Sequence, residues 1–208
     1  MRAIQGHTAI LLEDYGHVYD EEARENSRPV MAAAQQMDRL IQDLLAYGNV
    51  SQAELPASRL SLEVELDTVP EQLHREIGNR HAEVQVDRPM PEVNANAMVL
   101  EQALTNLLTN ALEFSKDNVP PRIRVWTDQP DPARVRLHVQ DNGIGIDPAY
   151  WPRLFGVFQR LHDARKYPGT GIGLVIVRKG IERMGGHVGF DSRPGEDSRF
   201  WIELPKPR

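Results

Sequence analysis

The stretch Asn106-Leu-Leu-Thr-Asn110-Ala-Leu-Glu113-Phe114-Ser115 carries two patterns at once. At about 100° per residue, Asn106, Asn110 and Glu113 fall on one narrow helical stripe. Leu100, Leu104, Leu107 and Ala111 fall on another, about 120° around the axis. Such a helix can bury one stripe and offer the other to a ligand. An asparagine suits a magnesium–phosphate site, because a neutral carbonyl oxygen ligates the ion while phosphates and waters complete its octahedron. A surface helix with two asparagines would read the same way, so the neighbouring segments must decide.

Two glycine-bearing segments follow. Asp141-Asn142-Gly143-Ile144-Gly145-Ile146 ends a strand-like run over Val135 to Val139. An aspartate there can accept a hydrogen bond from an adenine amino group, and the glycines let the backbone approach the ring; Asp-Asn-Gly is equally a common turn. Gly169-Thr170-Gly171-Ile172-Gly173-Leu174 leads directly into a helical run. Amides and helix dipole at such an entry favour phosphate. No Gly-Lys-Ser/Thr follows, so this is not a Walker loop, and its late position speaks against a dinucleotide-binding fold.

The remaining chain divides near Pro56. Upstream, Ile4, Leu11 and Val18 recur at seven-residue spacing, and Met37, Leu40, Ile41, Leu44 and Leu45 form a second apolar stripe. These runs predict a helical hairpin with the acidic stretch Tyr19 to Glu25 between its arms. Downstream, Leu60, Leu62 and Val64 alternate like a strand. Val69 to His81 reads as helix, and Val84 to Val86 as a short strand. Asn94 can cap a helix running to about Ser115. Ile123 to Trp126 and Val135 to Val139 read as strands, Gly171 to Met184 as a helix, and His187 to Asp191 with Arg199 to Leu204 as a hairpin.

Composition narrows the function. The 208 residues carry a net charge of -6, which argues against nucleic acid or an anionic membrane as partner. Hydrophobic residues make up 40%, enough for a buried core. There are no cysteines, which removes disulfides and thiolate chemistry and fits a reducing, cytoplasmic setting. No apolar run approaches the length of a membrane span.

The order of the motifs is distinctive: an asparagine helix, an Asp-x-Gly-x-Gly turn, Phe155-x-x-Phe158-x-Arg160, and a Gly-x-Gly-x-Gly loop. This succession resembles the N, G1, F and G2 boxes of the histidine-kinase ATPase domain, within the wider gyrase, heat-shock-90, kinase and MutL superfamily. Gly195 to Phe200 and Leu204-Pro205 resemble its closing strand. The resemblance implies an α+β chain. Residues 57–208 would form a two-layer α/β sandwich of the Bergerat type that binds ATP and Mg2+. Residues 1–55 would form a dimerisation hairpin, half of a dimeric four-helix bundle.

The same resemblance assigns roles. Asp141 would read the adenine amino group, with Ser198 behind it through water, and Phe114 would pack on the ring. Asn110 would ligate magnesium and Asn106 would lie near the phosphates. An asparagine at that position, where the superfamily's hydrolases carry glutamate, favours transfer over hydrolysis. Gly143, Gly145, Ile146, Gly169, Thr170, Gly171, Ile172, Gly173 and Leu174 would frame the pocket. Arg160 would reach the terminal phosphate from a lid over roughly His162 to Pro168, with Lys166 either assisting or solvated. Glu113 departs from the family, which usually has lysine there. Either Lys116 compensates or Glu113 turns to solvent.

Met37-Asp-Arg-Leu-Ile-Gln-Asp-Leu-Leu-Ala-Tyr47 resembles the second helix of the dimerisation and phosphotransfer domain. Arg2 to Gly6 resembles the stretch just after its phosphoacceptor box, which places that box before Met1. None of the seven histidines begins a His-Asp/Glu-x-x-x-Pro box, so this chain is not expected to phosphorylate itself. The resemblance implies a histidine kinase whose partner is a response-regulator receiver domain. A nucleotide-gated interaction module and an ATP-hydrolysing relative are the rival readings.

Overall fold

The computed structural model describes residues 21–52, 54–68, 71–159, 167 and 169–207. A 32-residue helix, α1 (Glu21–Gln52), precedes an α/β sandwich. The acidic stretch expected between two helical arms is therefore helical itself from Glu21 onward. The first arm of the expected hairpin, with Arg2 to Gly6 and His7, lies outside the described residues.

The sandwich opens with β1 (Ser58–Ser61), α2 (Leu62–Asp67), α3 (Glu71–Asn79), β2 (Glu83–Val86) and β3 (Glu92–Ala95). The expected strand through Val64 thus stops at Ser61, and Leu62 to Asp67 turn helical. Leu62 and Leu66, four residues apart, bury one face of that helix while Val64 stays exposed. The apolar pattern of the sequence does not predict β3 as a strand. Its Asn94 pairs with Arg59 in an antiparallel ladder, so the capping role passes to Asn96. The Asn96 side chain accepts from the Val99 N–H, and α4 (Ala97–Glu113) begins there.

The hairpin expected at the end of the chain is present, as β6 (His187–Arg193) and β7 (Asp197–Pro205). With β4 (Arg122–Asp128) and β5 (Arg134–Asp141) they form a five-stranded sheet in the order β2-β4-β5-β7-β6. The β2–β4 pair is parallel and the other pairs are antiparallel. Alternation along β4, β5 and β7 turns Ile123, Val125, Val135, Leu137, Val139, Ile202 and Leu204 inward. Against them pack Leu100, Leu104, Leu107 and Leu112 of α4, and Val177 and Ile181 of α5 (Gly173–Arg183).

A smaller apolar cluster joins α1 to the sandwich. Val50 is buried with Val99, Ile172 and Ile176, and Leu40, Ala46 and Tyr47 pack around it. The opposite side of α1 is apolar and open: Val30, Met37, Ile41, Leu44 and Leu45 are between 44% and 63% exposed. Among the described residues no helix is long and apolar enough to cross a membrane.

Candidate nucleotide-binding site

The site lies where α4, the end of β5 and the loop before α5 converge on a cavity of about 240 Å³. Packing the leucine stripe of α4 onto the sheet turns its other stripe toward this space. Asn106, Asn110 and Glu113 all line it, with Thr109 between them. Asn106 is held at both ends of its amide. Its Nδ2 donates to the Gly173 carbonyl at 3.2 Å, and its Oδ1 accepts from Gln102 at 3.3 Å. The helix ends at Phe114, whose ring packs against Tyr167 with centroids 5.6 Å apart.

Asp141, the last residue of β5, is buried at 7% exposed and lines the cavity. Its Oδ1 accepts from the Gly143 N–H at 2.8 Å, and the backbone N–H of its cross-strand partner Ser198 also donates to the carboxylate. Burial pushes its pKa up to about 7; the two amide donors and Lys116 oppose that rise, and Asp197 adds to it. The Ser198 hydroxyl is paired with the Ser192 hydroxyl at 3.0 Å, so it is through the main chain that Ser198 reaches Asp141.

Two of the cavity-lining glycines adopt positive φ. Gly145 has φ +67°, and a β-carbon there would collide with the Arg193 carbonyl. Gly171 has φ +71°, and a β-carbon would lie 2.7 Å from the Gln159 carbonyl oxygen. Both positions bring main chain to the cavity wall.

Most of the residues singled out in the sequence meet here. Asn106, Asn110, Phe114, Asp141, Gly145, Ile146, Gly169, Thr170, Gly171, Gly173, Leu174 and Ser198 line the cavity. Two do not. Gly143 acts from behind, through its N–H on Asp141, and Ile172 turns into the small cluster under α1. Arg160, His162 and Lys166 lie outside the described residues.

Glu113 does not turn to solvent. Its carboxylate lies across from Gly169, where an added β-carbon would meet Oε2 at 3.9 Å. Burial pushes its pKa up to about 7, with Arg39 and Arg80 opposing and Glu76 and Asp43 reinforcing. Lys116 is engaged elsewhere, donating to the Glu196 carbonyl at 3.0 Å.

Three wall residues had no signal in the local sequence: Arg39, Gln42 and Asp43, all from α1. They arrive because α1 clasps the glycine loop. Gln36 Nε2 donates to the Gly169 carbonyl at 3.0 Å, and the Thr170 hydroxyl donates to the Asp43 carboxylate. Burial raises the pKa of Asp43, while the Thr170 hydroxyl and the charge of Arg39 lower it.

A buried aspartate at a strand end, facing an asparagine-bearing helix and a glycine loop across a mixed sheet, defines an ATP-binding domain of the Bergerat type. The chain belongs to the family of histidine kinase-, DNA gyrase B- and HSP90-like ATPases, whose model matches residues 95–208. It is 34% identical over 205 residues to phytochrome-like protein Cph1 of Synechocystis sp., covering 99% of this chain and 27% of that protein. It is 30% identical over 205 residues to the methanogenesis regulatory histidine kinase FilI of Methanothrix harundinacea, covering 98% and 23%. Full-length ShkA in complex with AMPPNP superposes with a TM-score of 0.71 at 26% identity, covering 97% of this chain and 42% of that one. The mycobacterial sensor histidine kinase MprB gives 0.62 at 28% identity, covering 73% and 100%. The chain spans about a quarter of the length of the curated relatives it matches.

The elevated pKa of Glu113 has a measurable consequence. A carboxyl group with a folded pKa near 7 and an unfolded one near 4.5 stabilises the fold below the lower value, and that stability is lost as pH rises through the upper one. Replacing Glu113 with Gln should leave urea stability nearly unchanged at pH 4.5 and raise it by about 1–3 kcal/mol at pH 7.5 and above. A difference that does not depend on pH would show that Glu113 titrates normally in the folded chain.

Proposed function

We propose that this chain is the ATP-binding, catalytic part of a cytoplasmic sensor histidine kinase, with the nucleotide domain beginning near residue 57. The observation that carries the reading is Asp141. It is a buried acceptor in a cavity that the asparagine stripe and the glycine loop also line. In this reading the Asp141 carboxylate accepts from the adenine amino group, and Phe114 and Ile146 pack against the ring. The phosphates extend toward Asn106, Asn110 and the amides of Gly169 to Gly173, with Arg160 on the terminal phosphate.

Asn110 presents a neutral amide oxygen to the cavity, the donor type Mg2+ accepts beside phosphates. Bound there, the ion would supply charge neutralisation to the phosphates. The acceptor is a histidine imidazole. Its nitrogen forms a bond to the γ-phosphorus as the bond to the β,γ-bridging oxygen breaks, and ADP leaves. The phosphoryl group then passes to an aspartate of a response-regulator receiver domain. The chain contributes positioning and charge stabilisation, which dominate phosphoryl transfer. Asn106 offers no carboxylate to activate water, which supports transfer over hydrolysis. Self-association belongs to the same reading: residues 1–55 would pair across a two-fold axis, and the open stripe Val30, Met37, Ile41, Leu44 and Leu45 supports this.

Two measurements test the reading. By calorimetry with magnesium, ATP and ADP should bind more tightly than GTP, and Asp141→Asn should weaken the adenine nucleotides by about tenfold or more, the effect of an unmatched buried polar group. Equal affinity for ATP and GTP would remove the adenine assignment. In analytical ultracentrifugation the chain should show a concentration-dependent monomer–dimer equilibrium that Leu44→Glu shifts toward monomer. A strict monomer at every accessible concentration would contradict pairing through α1.

A further inference from the structure

The cavity walls are electrically unbalanced. Asp43, Glu113 and Asp141 all line the space, and among the described residues lining it Arg39 is the one cation. Among the described residues, a polyanionic ligand meets three carboxyl groups and one guanidinium. That guanidinium does not come from the sandwich that carries most of the site. It comes from α1.

Its placement follows from the way α1 is seated. Gln36, Arg39 and Asp43 lie three and four residues apart and so share one helical face. Gln36 and Asp43 grip consecutive residues of the glycine loop, Gly169 and Thr170. Below them, Leu40, Tyr47 and Val50 pack against Val99, Ile172 and Ile176, which fixes the rotation of α1 about its axis. Arg39, held between the two grips, must then overhang the cavity. Its tie to its own helix is loose, Nη2 donating to Gln36 Oε1 at 3.3 Å on the exposed side. Its charge is felt by both Asp43 and Glu113. The charges that act on Asp141 are instead those of Asp197 and Lys116, so Arg39 serves the part of the cavity beside Glu113 and the glycine loop. A planar guanidinium there can meet two phosphate oxygens at once.

We propose that Arg39 is a phosphate-binding residue of the nucleotide site, contributed by α1, so that the triphosphate end of the site is complete only when α1 is docked on the glycine loop. The inference rests on the nucleotide reading of the cavity. By thermodynamic reciprocity, a triphosphate that gains affinity from Arg39 must strengthen the docking of α1 by the same factor. The occupied site would thereby report on itself to the helix that carries the open apolar stripe. Adenosine, which has no phosphate to offer, would do neither.

The test is calorimetry of ATP and adenosine on the 208-residue chain with magnesium, beside hydrogen exchange over residues 36–50. Arg39→Ala should weaken ATP by about ten- to a hundredfold, the range for losing a charge-assisted contact, and leave adenosine within about twofold. Arg39→Lys should recover part of the loss. In the unaltered chain ATP should slow exchange in α1 more than adenosine does, and Arg39→Ala should abolish the difference. Equal weakening of both ligands, or none of either, would overturn the assignment of Arg39 while leaving the nucleotide site intact. Equal slowing of exchange by the two ligands would overturn the coupling. If neither ligand binds the unaltered chain, the nucleotide reading fails and this inference with it.

Discussion

Everything in the domain depends on α4 having to satisfy two neighbours at once. Its leucines at 100, 104, 107 and 112 are essentially removed from water against the sheet. Each such side chain contributes about 1.5–3 kcal/mol by burial. The helix is therefore not free to rotate, and its second stripe must face the gap beside the glycine loop. Asn106, Asn110 and Glu113 point at the cavity because the leucines cannot point anywhere else. The hydrogen bond from Asn106 to Gly173 then ties this stripe to the start of α5, which closes the second wall.

The cavity so formed concentrates carboxyl groups where burial disfavours their charged forms. Burial holds both Asp141 and Glu113 off their ordinary ionisation, opposed at Asp141 by two backbone amide donors and at Glu113 by the charges of Arg39 and Arg80. The same desolvation would strengthen a favourable contact as readily as it penalises a lone charge. This is why the identity of the cation near Glu113 matters, and why a helix from outside the sandwich can influence the chemistry inside it.

Much of this was legible in the chain. The dual periodicity of α4, the turn after Asp141, the glycine loop and the terminal hairpin are local patterns, and each is found where the sequence puts it. Expectation and structure part where two local codes compete. Leu60, Leu62 and Val64 alternate, yet Leu62 and Leu66 also fit a helical face, and burial of both against α4 decides for helix. Asn94 and Asn96 can each cap a helix, and the pairing of β1 with β3 takes Asn94 out of contention. The contribution of α1 was not legible at all. Gln36 and Gly169 are separated by 133 positions, and nothing near either residue announces the other. Only the packing of Val50 against α4 and α5 brings them together.

The central claim is that one cavity, spanning from Asp141 to the glycine loop, receives an adenine nucleotide. It is tested most directly by following backbone and side-chain amide resonances of the chain while ADP with magnesium is added. The account predicts that the amides of Gly143, Gly145 and Gly171 and the side-chain amides of Asn106 and Asn110 shift together with a single affinity. The separate polar hollow lined by Gln140, Trp151, Asp191 and Arg199 should stay unchanged. Shifts confined to that hollow, or none at the glycines and asparagines, would contradict it.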